Sequence, residues 1–287
     1  MNNKIYLMTA IIAFASVGAL LIQPTLASAQ PKNNNNPLDI LGTSSGSSKS
    51  SATSLSGTAS DLPSASLSCG QVITTSVKLS ANLDCASDGL LVQGDNIVID
   101  LNGHSIVGPG ASASKIGISV AANDAVEIDG PGSITGFQAG VLISGGNNDV
   151  INGVSFDGNQ IAVFLTGTKG ADIENNMITN NQIGMAAHSA SKTTFKTNVL
   201  TKNDLAGVTL VNSGDNKIDT NIIKESKNGI FNDAQSVGNQ VTTNTVMENS
   251  GVDLNNGNGL PINVNDATFT ENLCQTSVPD GLCTAGK

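Results

Sequence analysis

A small residue precedes an apolar one at Gly117, Gly140, Ala162, Gly184, Gly207, Gly229 and Gly251, at steps of 23, 22, 22, 23, 22 and 22 residues. A chain with so constant a step must fold as stacked copies of one unit, because a unit of this size cannot bury its own apolar face. The clearest copy is IDTNIIKESKNGI, from Ile218 to Ile230. It returns as FKTNVLTKNDLAGV from Phe195, IENNMITNNQIGM from Ile173 and VTTNTVMENSGV from Val241. Looser copies are VINGVSFDGNQIAV from Val150 and VEIDGPGSITGFQAGV from Val126. The apolar residues fall in short, largely β-branched clusters broken by Asn, Gly, Asp and Ser, which is strand and turn chemistry. No window carries a helical stripe of ten or more residues, and no Leu framework recurs. The expected fold is therefore all-β, a parallel β-helix of about seven to eight coils of 22–23 residues, each with three short strands.

Two columns of Asn keep a constant offset from the apolar positions. One is Asn176, Asn198, Asn221 and Asn244; the other is Asn159, Asn181, Asn203 and Asn249, with Ser226 on the missing rung. Asn tolerates the left-handed backbone of a tight corner, and its amide both donates and accepts. The columns are expected to form structural ladders along the stack.

Two motifs link the chain to a family. Asp100-Leu101-Asn102-Gly103-His104 reads DLNGH, and Gly130 to Phe137 reads GPGSITGF. With the repeats, these make the segment from Cys69 to Leu273 resemble the secreted, right-handed parallel β-helix repeat proteins of the pectate-lyase-like superfamily. The resemblance implies a right-handed solenoid. It leaves the chemistry open, because that superfamily holds lyases, hydrolases, epimerases and a copper-related periplasmic accessory protein.

The chain divides into three expected parts. Residues 1–29 read as a signal peptide, with Lys4, an apolar run from Ile5 to Ile22 and Ala27-Ser28-Ala29 as the cleavage site. Residues 30–66 read as a disordered Ser-, Asn- and Gly-rich linker. Residues 67–287 form the β-helix domain. A secreted or extracytoplasmic, cell-surface or periplasm-like location follows, with no membrane span after cleavage. Such a compartment permits disulfides, and local pairing of Cys69 with Cys85 and of Cys274 with Cys283 would staple both ends of the stack. One coil carries an insertion, VGPGASASK from Val107 to Lys115, expected to project as a loop.

Composition argues about function mainly by exclusion. The sequence has no Arg and no Trp, and its one Tyr, Tyr6, lies in the signal segment. The Arg or Lys bases of the β-helix lyases, the paired Asp and Arg-x-Lys of the pectin hydrolases, and the Asp-Pro-His-Asp of the alginate epimerases have no counterparts here. A net charge of −10 disfavours nucleic acid as a partner. The catalytic candidates are Asp100, His104 and Asp129, which fall in adjacent coils. Met185 and His188 form an M-x-x-H pair of the kind that suits copper, but Met185 holds an apolar slot. No metal or cofactor site is assigned; calcium is compatible with the many Asp and Asn oxygens. These absences argue against an enzyme. The favoured reading is a non-catalytic, monomeric rod that binds extracellular polysaccharide or a cell-surface protein. The alternatives are a polysaccharide lyase, hydrolase or epimerase with an unrecognised site, and a periplasmic copper-accessory-like protein.

Overall fold

The computed structural model describes residues 62–284. The expected signal peptide and most of the expected linker lie outside those residues. The pattern of one coil explains the rest. Val150–Asn152 lies in sheet one, Ser155–Asp157 in sheet two and Ile161–Thr166 in sheet three, and the chain then re-enters sheet one a coil higher at Asp172–Glu174. Every pairing follows this rule and is parallel, so that the three sheets hold ten, nine and ten strands. The fold is an all-β, right-handed parallel solenoid of about nine coils. The excess over seven to eight comes from the ends. Val77–Leu79 with Leu83–Asp84, and Thr268–Thr270 with Leu273–Cys274, add strands where the small marker residue is missing. Ser64–Ala65 already pairs with Lys78–Leu79, so strand pairing starts ahead of residue 67.

Strict register puts one apolar residue per strand over its equivalent in the next coil. Ile128, Ile151, Ile173, Phe195, Ile218 and Val241 stack in sheet one; Ile134, Phe156, Ile178, Leu200, Ile223 and Val246 stack in sheet two. All are fully buried, each burial contributing roughly 1.5–3 kcal/mol. A one-residue slip would turn such a column to solvent, so the pattern alone fixes the register. The small marker residue has a steric cause: a Cβ on Gly140 would sit 2.6 Å from the Ala162 carbonyl oxygen and 2.9 Å from the Phe156 ring.

The Asn rungs follow one rule. Each side-chain oxygen accepts the backbone N–H of the same rung in the coil below, and each Nδ2 donates to the carbonyl three residues before that rung. Asn176 Oδ1 accepts from Val154 N at 2.9 Å while its Nδ2 donates to Ile151 O at 2.9 Å. Asn198, Asn221 and Asn244 repeat this with Ile173, Phe195 and Ile218 as acceptors. In the second column Asn159, Asn181, Asn203 and Asn249 donate to Ile134, Phe156, Ile178 and Ile223, and Ser226 Oγ accepts from Asn203 N at 3.2 Å. The rung Asn does not itself adopt the left-handed backbone. That conformation falls on the preceding residue, with φ of 57° at Asn175, 55° at Thr197, 57° at Thr220 and 58° at Thr243. A β-branched residue is unfavourable there, so the rung hydrogen bonds must hold the corner.

Disulfides close both ends: Cys69–Cys85 with a Cα separation of 5.5 Å, and Cys274–Cys283 at 5.2 Å.

Candidate functional site

The inserted loop leaves sheet two at Val107 and makes a 3-10 turn at Ala111–Ala113. It is tied back where Gly110 N donates to Gly136 O at 2.9 Å. Ala111 and Ser112 then overhang the second corner, forming one wall of a cleft of about 300 Å³. Its floor is a product of the repeat. Asn159 and Asn181 turn inward as rungs, so the next residues, Gln160 and Gln182, reach the surface one coil apart. Their side-chain amides make no hydrogen bond to any described residue. Asn180 and Asp204 complete the cleft, and Asp204 also lines a neighbouring cleft of about 390 Å³ with Lys202, Glu225, Lys227 and Glu248. The two clefts thus form one polar path along the corner. A Lys202–Glu225 pair at 3.8 Å lies on it. Among the described residues that line the cleft under the loop, Asp204 is the one carboxylate.

The candidate acid–base residues Asp100, His104 and Asp129 divide. Asp100 and Asp129 are strand partners in adjacent coils. Asp100 is buried and committed: it accepts from Asn102 N at 2.7 Å and meets Lys78 Nζ at 3.4 Å. The His104 ring faces elsewhere, with Nδ1 3.2 Å from Asn82 Oδ1. Sequence reasoning missed Glu127. It stands two residues before Asp129 on the same strand, and alternation puts both carboxyls on one face. Each carboxyl is raised above its ordinary pKa. Burial is the main cause for each, with the Asp129 charge adding to Glu127 and the Asp100 charge to Asp129. The signal was available in Glu127-Ile128-Asp129, a strand triplet with acids at alternate positions.

Residues 74–281 match the family model described as "Periplasmic copper-binding protein (NosD)". The chain belongs to the NosD family. No curated protein matches the sequence significantly. Among solved structures, the crystal structure of Dettilon tailspike protein (gp208) is similar at 16% identity with a TM-score of 0.49. The match covers 74% of this chain and 54% of the tailspike chain, so this chain spans about half the tailspike's length. DFA-IIIase from Arthrobacter chlorophenolicus A6, in complex with GF2, is similar at 11% identity and a TM-score of 0.47, over 74% of this chain and 69% of that one.

In this NosD-family chain the M-x-x-H pair does not form a copper-ligand pair. Met185 and His188 are three apart on the strand Ile183–His188. Alternation therefore directs them to opposite faces of the sheet, and Met185 is fully buried in the core. All four cysteines are in disulfides. Among the described residues no three His, Cys, Asp or Glu side chains converge as a metal-binding set. No described helix is long and apolar enough to cross a membrane.

Proposed function

We propose that this NosD-family chain is a secreted, monomeric scaffold that binds an extracellular glycan or a cell-surface protein along its second corner and does not transform it. The observation that carries this reading is the cleft under the 107–115 loop: Gln160 and Gln182 offer unengaged amides one coil apart, beside Asn180 and Asp204. Amides at a spacing of about 4.8 Å can exchange hydrogen bonds with successive hydroxyls of an extended chain. The two disulfides suit the same extracytoplasmic setting. The test is retention of the purified chain on immobilised neutral and acidic polysaccharides, with and without calcium, alongside mass spectrometry of the supernatant. Retention without new oligosaccharide masses supports the scaffold. A new mass would replace it with a polysaccharide-acting enzyme.

One observation favours that second reading. Glu127 and Asp129 are neighbouring carboxyls on one face of the strand Glu127–Asp129, both with raised pKa values, as a general acid requires. If the chain cleaves glycan, Glu127→Gln abolishes product formation; activity that survives this change removes the pair from consideration.

A further inference from the structure

The third corner has its own, shorter ladder. Asn216 Oδ1 accepts from Thr193 N at 2.9 Å, and Asn216 Nδ2 donates to Ala190 O at 3.2 Å. One coil higher, Asn239 Oδ1 accepts from Asn216 N at 2.8 Å and Nδ2 donates to Ser213 O at 2.7 Å. Followed downward by strand register, the column passes through Thr193 and Ala171 to Asp149. Asp149 obeys the first half of the rule: its Oδ1 accepts from Val126 N at 3.0 Å. The second half would place its other oxygen against the carbonyl three residues before Val126, that of Asn123. The surroundings of Gly146 agree, since a Cβ built there would meet both the Asn123 carbonyl oxygen and Asp149 Oδ2, the latter at 3.2 Å. Asp149 is fully buried, and its Oδ2 has no hydrogen-bond partner. Where every ladder Asn presents an N–H, a carboxylate presents a second acceptor to an acceptor.

We propose that Asp149 is a proton-dependent rung: its neutral carboxyl donates from Oδ2–H to the Asn123 carbonyl, as a ladder Asn would, and its ionisation breaks that bond and loosens the coils around residues 123–150. The charged surroundings favour the neutral form. Asp95 and Asp124 lie on the coils beneath, and Glu127 follows Val126 on the coil below. On the coil above, Asp172 donates its backbone N–H to the Asp149 carbonyl at 2.8 Å and Lys169 belongs to the same corner. Burial, with the charges of Asp124 and Asp95, raises the Asp149 pKa to about 6 against the lowering effect of the Val126 N–H. A carboxyl whose folded pKa lies above its unfolded value of about 3.9 binds a proton in the folded state that the unfolded chain has released. Its stabilising contribution is full below about pH 4 and declines as pH rises to about 6. The device therefore tightens the stack in acid, opposite to the usual acid lability of a carboxylate-rich protein.

The experiment is thermal unfolding of the full chain and of Asp149→Asn from about pH 4 to about pH 8, with Asn216→Asp as the reverse substitution. Asp149→Asn supplies the ladder's own residue. It is expected to raise Tm at neutral pH, with an advantage over wild type that shrinks as pH falls from about 6 to about 4, whatever Glu127 and Asp129 contribute to both proteins. Asn216→Asp is expected to import the missing pH dependence. An Asp149→Asn protein that fails to fold, or is no more stable than wild type at neutral pH, overturns the proposal. So does a neutral-pH stabilisation of wild type by calcium or sodium that Asp149→Asn loses, since a cation and not a proton would then sit on Oδ2.

Discussion

Asn221 Nδ2 donates to Asn244 Oδ1 at 3.0 Å, one coil above, while Asn221 Oδ1 accepts the Asn198 backbone N–H at 3.0 Å, one coil below. A single buried side chain thus joins three coils. Asn221→Ala strands the Asn198 N–H and the Phe195 carbonyl, which Asn221 meets at 2.8 Å. At about 1–3 kcal/mol for each of these two buried groups left unpaired, the loss is expected to be roughly 2–6 kcal/mol in denaturant unfolding. The adjacent exposed Ile222→Thr should stay within about 0.5 kcal/mol of wild type.

The core columns predict a second loss. Phe156 is fully buried between Ile134 and Ile178. Phe156→Ala should cost about 3–5 kcal/mol, because the stacked neighbours cannot collapse into the cavity without breaking register. Guanidinium unfolding followed by circular dichroism measures it.

The Cys69–Cys85 bridge spans 16 residues. Replacing both cysteines by Ala should lower stability by about 3 kcal/mol on the loop-entropy model. Hydrogen exchange of the paired variant should show the added opening concentrated in the first coils, because each coil contacts only its neighbours.

Gln160→Ala combined with Gln182→Ala should weaken polysaccharide retention about tenfold, as expected from two lost hydrogen bonds of about 0.5–1.5 kcal/mol each, with Tm unchanged. Undiminished retention would move the binding surface away from the second corner.

Asp219 gives a pH effect of opposite sign to Asp149. Desolvation pushes its pKa up, but hydrogen bonds from Lys217 and Thr242 outweigh that and leave it lowered. A carboxyl with a lowered folded pKa contributes stability above its unfolded value and loses it as pH falls through the folded one. Asp219→Asn should therefore remove a small stabilisation at neutral pH and make no difference in strong acid, as read from the two proteins' melting curves.

The repeat was legible because steric and hydrophobic demands recur at every coil: Gly140 and Gly184 have no room for a side chain, and Ile151 and Phe156 must face inward. The terminal coils were undercounted because they lack the marker residue and are closed by Cys69–Cys85 and Cys274–Cys283. The left-handed corner residues, such as Thr197 and Thr220, were unreadable from propensity, since the backbone there is imposed by the Asn one position later. The repeat places His104 near Asp100 and Asp129 in adjacent coils but does not show where its ring points, and its position beside Asn82 follows from the turn between sheets one and two. Glu127 lies outside both motifs, and only strand alternation across Glu127-Ile128-Asp129 brings it beside Asp129.

A periodic surface is a ruler without a zero. An extended ligand could bind this corner in several registers, each shifted by one coil of about 4.8 Å, with nearly equal contacts. The loop from Val107 to Lys115 interrupts that translational symmetry once, at the Ala111–Ala113 turn above Gln160 and Gln182. It gives the corner a starting mark, so that a chain end lodged beneath it fixes the position of every unit that follows.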